Sequence, residues 1–182
     1  MELGNGPVII GHSWVTRLKA TGFLPSKFSF IGQSGGTFAS LANLIEPIPT
    51  HQENDYVFVI LGGNDIANAW DLGEVNEIEK MCEDFVLMLR ARFPFAKIIL
   101  SQIEDRFDTE TGEINVEHKR KGNKFNKWLN KFDAKDALFT LKGQNFFGLP
   151  YLYDKDGVHM NQSGNLKLAN RIWNYYDNKL AG

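Results

Sequence analysis

Short unbroken apolar runs alternate along this chain with stretches whose apolar residues recur every three or four positions. The runs at residues 7–11, 27–31, 56–61, 97–101 and 137–141 read as strands. Residues 56–61, continuously apolar and followed by glycines, have the pattern of a central strand covered on both faces. Helical spacing is clearest over 76–93, where Ile78, Met81, Cys82, Phe85, Leu89 and Phe93 fall on one stripe. Further helices are predicted over 13–20, 37–45, 116–132 and 162–180. The helix over 116–132 carries Phe125, Trp128, Leu129 and Phe132 inward, and the last carries Leu166, Ala169, Ile172, Trp173 and Tyr176. Pro47 and Pro49 break the pattern over 46–54. Residues 103–115 are polar and contain Gly112, which predicts a long loop of the kind that binds substrate or acts as a lid.

Strand and helix in alternation predict an α/β fold, because parallel neighbours need a crossover and that crossover is right-handed. The expected architecture is a three-layer αβα, flavodoxin-like five-stranded parallel sheet of order 2-1-3-4-5. In such sheets ligands bind beyond the carboxyl ends of the strands, where the strand order switches. The 182 residues, 43% hydrophobic and 13% aromatic, suit one domain spanning 1–182.

A formal net charge of −2 gives no global field for nucleic acid or membrane. The single cysteine, Cys82, rules out an internal disulfide and reads as a core thiol. Residues 1–7 lack the basic start and long apolar stretch of a signal peptide. No apolar run approaches the ~20 residues that span a bilayer. A soluble, intracellular protein is the expectation.

Four separated segments add chemistry: Gly11-His12-Ser13, Ser34-Gly35-Gly36-Thr37, Gly62-Gly63-Asn64-Asp65 and Asp156-Gly157-Val158-His159. The first three leave strands 1, 2 and 3 at the carboxyl edge. A serine hydroxyl attacks an acyl carbon only if a base accepts its proton, and a neutral His159 can do so. The other ring nitrogen of His159 should donate to a carboxylate, and Asp156 lies three residues away, within reach of a tight turn. The oxyanion then needs fixed donors, which the backbone amides of Ser13 and Gly35 and the side-chain amide of Asn64 could supply. Each element also has an ordinary reading: Ser13 as a helix cap, Gly35 and Gly36 as turn glycines, Asn64-Asp65 as strand-exit turn chemistry, His159 as a surface histidine. Their order and their common place at strand ends favour one joint site.

On these four blocks the chain resembles the SGNH hydrolase superfamily, the GDSL-type esterases and lipases. The resemblance implies Ser13 as nucleophile, Gly35 and Asn64 in the oxyanion hole, and Asp156 and His159 as the remaining catalytic pair. It spans residues 8–164. The family usually reads Gly-Asp-Ser at the first block, and here the middle residue is His12. That acid mostly supports the loop by hydrogen bonding, so the histidine either replaces it structurally or alters the environment of the nucleophile.

The reading is therefore a serine esterase acting on a small ester, O-acetyl or another short acyl group, through an acyl-enzyme on Ser13, with no cofactor. His12, Asp65, Trp70 and Phe107 are candidates to support the site or line its pocket, with Phe146, Phe147, Tyr151 and Tyr153 as further lining. No metal is expected, since four histidines and one cysteine show no ligand spacing. The alternative is a catalytically weak binding module of the same fold, for nucleic acid or anionic lipid, in a mobile-element or larger parent protein. Its basis is the helix containing Lys119, Arg120, Lys121, Lys124 and Lys127, whose cations could meet phosphates. The core spacing of Phe125, Trp128 and Phe132 instead favours those cations as a solvated face.

Overall fold

The computed structural model describes residues 3–132 and 149–180. Strands β1 (Val8–Gly11), β2 (Ser29–Gly32), β3 (Tyr56–Ile60) and β4 (Lys97–Leu100) form one parallel sheet in the order β2-β1-β3-β4. This is the predicted order as far as the described residues reach. The fifth strand expected at 137–141 lies outside them, so the sheet described here has four strands.

Side chains alternate across the sheet, as the two-residue period of a strand requires. Val8, Ile10, Val57, Val59, Ile98 and Leu100 enter one core layer, while Ile9, Phe58, Ile60 and Ile99 enter the other. The first layer is closed by α2 (Phe38–Ile45), α4 (Glu74–Arg92) and α5 (Val116–Leu129); the second is closed by α1 (Ser13–Thr21) and α6 (Gln162–Leu180). Helices on both faces explain why these strands are apolar throughout. Cys82 is buried on α4, where burial pushes its thiol above the ordinary value. Among the described residues, no helix is long and apolar enough to cross a membrane.

The sequence pattern does not predict the short helix that follows β3. Residues Gly63–Asn68 form a short helix, α3, directly after β3. Glycine, asparagine and aspartate favour turns over helix interiors, so no periodic signal marks it. The 103–115 segment also differs from a loose loop. Phe107 bridges Ile114 antiparallel, and Asp108 accepts from the N–H groups of Glu110 and Thr111, folding the segment into a small hairpin.

Candidate active site

Each of the first three blocks leaves a strand at the carboxyl edge and turns at once. Gly11 ends β1 so close to β3 that a Cβ there would lie 2.0 Å from the Ile60 carbonyl oxygen, which leaves room only for glycine. The chain then enters α1 with His12 as the N-cap, its Nδ1 accepting from Trp14 N–H at 3.3 Å. Ser13 is thus the first helical residue and not the cap itself. At the second block Gly36 N–H donates to Gln33 O, and Gly35 takes φ +69° in the intervening turn. Thr37 closes the turn with a capping box to Ser40. At the third, Gly62 at φ +102° turns β3 into α3 and presents Asn64 and Asp65 in its first turn.

The fourth block is a compact anion-centred turn. Asp156 Oδ1 accepts from Val158 N–H at 3.0 Å and His159 N–H at 2.9 Å, while Oδ2 accepts from His159 Nδ1 at 2.6 Å. Burial raises the Asp156 carboxyl, but these donations, led by the His159 N–H, outweigh it and bring the group down to about 2. With Nδ1 donating, Nε2 of His159 is left as an acceptor. Gly157 holds the turn at φ +66° against the Phe107 backbone, whose N–H donates to Gly157 O at 2.9 Å. The indole of Trp14 donates to Val158 O at 2.9 Å, so the first turn of α1 is tied to the loop that carries His159. No hydrogen bond joins Ser13 to His159 among the described residues. Such contacts commonly tighten only when substrate is bound.

Two backbone donors stand ready nearby. Neither the Ser13 nor the Gly35 N–H donates to a protein acceptor among the described residues, as expected of a helix start and a turn apex. Asn64 Nδ2 gives one hydrogen to Gly36 O at 2.9 Å, and its Oδ1 accepts from Arg106 at 2.8 Å. One Nδ2 hydrogen remains.

Beneath these residues lies a buried charge cluster that sequence reading only half found. His12 is 2% exposed, and its Nε2 faces Glu104 Oε1 at 3.6 Å. Glu104 is equally buried. Burial works to raise its carboxyl, yet the facing His12, Arg106 and His118 together hold it well below the usual range. Asp65 behaves oppositely. Burial pushes it up to about 6, although the Phe38 N–H donates to it. Glu104 and Arg106 carried no sequence signal, being two charges in a polar stretch whose partner His12 is about ninety positions away.

The remaining candidates separate by exposure. Phe107 is buried and packs edge-on against Tyr153, with ring centroids 4.8 Å apart. Trp70 (88% exposed) and Tyr151 (63% exposed) stand in solvent. Phe146 and Phe147 lie outside the described residues. On α5, Lys121 is buried and donates to Ala69 O, Lys124 binds Leu72 O and Asn76, Lys119 pairs with Asp105 and Arg120 with Glu117. Lys121 and Lys124 are thus drawn onto the carbonyls of a neighbouring segment, while Lys119, Arg120 and Lys127 stay on a solvated face as expected.

Known proteins share this framework. A proposed acylhydrolase of Bacteroides fragilis superposes with TM-score 0.73 at 19% identity, covering 97% of this chain and 88% of that one. A GDSL-like lipase of Bacteroides thetaiotaomicron gives 0.69 at 16% identity, with 96% and 89% covered. The psychrotrophic esterase EstA of a Pseudoalteromonas species gives 0.61 at 18%, with 98% and 100% covered. At such identities the likeness establishes the fold. A search of curated protein sequences finds no significant match. The profile of the GDSL-like lipase/acylhydrolase family matches residues 15–172, beginning two positions after Ser13. On that match over most of its length, the chain belongs to the GDSL-like lipase/acylhydrolase family of the SGNH superfamily, a carboxylic ester hydrolase by class.

Proposed function

We propose that this protein hydrolyses small esters, of O-acetyl or another short acyl group, through an acyl-enzyme on Ser13. The observation that carries the reading is the Asp156–His159 pair, joined at 2.6 Å in a turn that Trp14 ties to the helix start bearing Ser13.

Ser13 Oγ attacks the acyl carbon while His159 Nε2 takes its proton, and His159 returns that proton to the departing alcohol. Asp156 fixes the ring with Nδ1 protonated and stabilises the imidazolium that forms. Water, activated by the same ring, then attacks the acyl-enzyme and releases the acid. The negative oxygen in both steps is held by the N–H groups of Ser13 and Gly35 and by the remaining Nδ2 hydrogen of Asn64. No step calls for a cofactor.

The positions of four candidate pocket aromatics support a short acyl group. Phe107 and Tyr153 are packed into the core, and Trp70 and Tyr151 are in solvent, so none of the four forms a buried channel for a long chain.

Treatment with a fluorophosphonate followed by intact-mass and peptide analysis tests the nucleophile: one adduct on Ser13, absent in Ser13→Ala, is expected. Nitrophenyl esters of rising chain length, with Ser13→Ala as blank, should show turnover falling beyond short acyl groups. An inert wild-type protein, or equal hydrolysis by Ser13→Ala, would overturn the proposal and return the chain to a binding module.

A further inference from the structure

The segment after β4 places Glu104 and Arg106 beneath the site, while Asp105 between them turns to Lys119. The Glu104 carboxylate lies directly against the start of α3, where a Cβ on Gly63 would sit 1.9 Å from Oε1. His118 Nε2 donates to the Glu104 carbonyl at 3.0 Å, and Asn126 bonds both backbone groups of Ile103, so this segment is held from the α5 side. From it the Arg106 guanidinium reaches Glu104 Oε1 at 3.7 Å and donates to Asn64 Oδ1 at 2.8 Å. The same oxygen, Oε1, faces His12 Nε2 at 3.6 Å, and His12 caps α1 one residue before Ser13.

The two ends of an amide have nearly the same shape, so its surroundings decide which way it points. At Asn64 they agree. The guanidinium can only donate and so demands the oxygen, and the Gly36 carbonyl can only accept and so demands the nitrogen. A flipped amide would set NH2 against guanidinium and oxygen against oxygen. The observed orientation leaves one Nδ2 hydrogen over. Donation to Oδ1 also withdraws charge from the amide and strengthens that hydrogen as a donor.

We infer that Arg106 is a positioning residue for the Asn64 amide, and that Glu104 is the buried anion whose Oε1 holds both Arg106 and the His12 cap of the Ser13 helix. The inference rests on Asn64 being an oxyanion donor. It assigns to one carboxylate, supplied after β4, the alignment of both halves of the site. It also accounts for a histidine where the family usually has an acid: the negative charge sits on Glu104, and with Nδ1 accepting from Trp14 N–H the ring at position 12 turns its Nε2–H toward that carboxylate.

The test compares Arg106→Met, Glu104→Gln and the double variant on a short nitrophenyl ester, with thermal unfolding measured alongside. Losing one oxyanion donor typically costs 10²- to 10³-fold in turnover, so misdirecting it should lower kcat roughly 10- to 100-fold, with KM changed less than about threefold. Arg106→Met also leaves Glu104 short of a cation and should lower Tm. The double variant is electrically balanced and should regain most of that Tm without regaining kcat. Recovery of both together would make Arg106 a structural residue and overturn the inference, as would a wild-type kcat in Arg106→Met. The side-chain amide resonances of Asn64, assigned by their loss in Asn64→Ala, give a second readout independent of hydrolysis. They should move in Arg106→Met and in the double variant; unchanged resonances would overturn the positioning role even if the protein proved inert to esters and fluorophosphonate, an inertness that by itself defeats only the esterase proposal.

Discussion

Replacing His12 with aspartate, the residue common at this position in GDSL-type proteins, puts two carboxylates into one buried site. Glu104 Oε1 is 3.6 Å from His12 Nε2, and both side chains are almost wholly buried. An aspartate stops about 2 Å short of that nitrogen, which leaves the carboxylates roughly 5–6 Å apart. At an effective dielectric of about 20, like charges at that distance repel by about 3 kcal/mol. Asp65, itself in the electrostatic reach of His12, adds to the repulsion. Helix capping is no compensation lost, because aspartate is as good an N-cap as any residue. For a chain of 182 residues the penalty corresponds to a fall in Tm of roughly 6–12 °C at pH 8.

The sign of its pH dependence follows from linkage. The new carboxyl is raised in the folded state, so the penalty is small near pH 4, grows as pH climbs through the raised value, and is complete by pH 8. Thermal unfolding by circular dichroism at pH 5 and pH 8 measures it. Adding Glu104→Gln to His12→Asp should recover more than half of the loss at pH 8. A His12→Asp variant as stable as wild type at pH 8, or one that Glu104→Gln fails to rescue, would refute the pairing of the His12 ring with the buried Glu104 carboxylate.

Three further outcomes are expected. Asp65, raised by burial from the ordinary carboxylate range to about 6, removes stability as pH rises from about 4 through 6. Asp65→Asn keeps an acceptor for Phe38 N–H and should be about 1–3 kcal/mol more stable than wild type at pH 8 and indistinguishable at pH 4; denaturant unfolding at both pH values checks this. Asp156→Asn still satisfies the two backbone donors of its turn but cannot accept from His159 Nδ1, so turnover on a short ester should fall on the order of 10²- to 10⁴-fold with the fold intact. In Gly157→Ala a Cβ would lie 2.1 Å from Phe107 O at a φ of +66°, so the His159 loop must shift; the expected result is a Tm loss of several degrees together with at least a tenfold fall in kcat.

Much of the framework was legible from patterning. Four strands are short apolar runs, and α4 and α6 announce themselves by helical spacing because each has one face on the sheet. The site blocks were legible because a nucleophile, fixed donors and a base gathered at strand ends would need particular residues at particular turns. What patterning missed was held by contacts distant in sequence. Helix α3 is made of turn-forming residues, and its end is fastened by Lys121 of α5 donating to Ala69 O. A lysine stripe has the same spacing whether it meets water or a neighbouring loop's carbonyls, so sequence could not distinguish the two.

The alternation of apolar and polar positions, by itself, determined an α/β sheet with its strand ends carrying Ser13, Gly35 and Asn64, because periodicity and turn chemistry are local properties. Only the tertiary structure decided what His12, Glu104, Arg106 and Asp65 mean. A charge has its ordinary chemistry in water and acquires another when burial strips that water away and leaves it to the nearest partner, and no local pattern states which residue that partner will be.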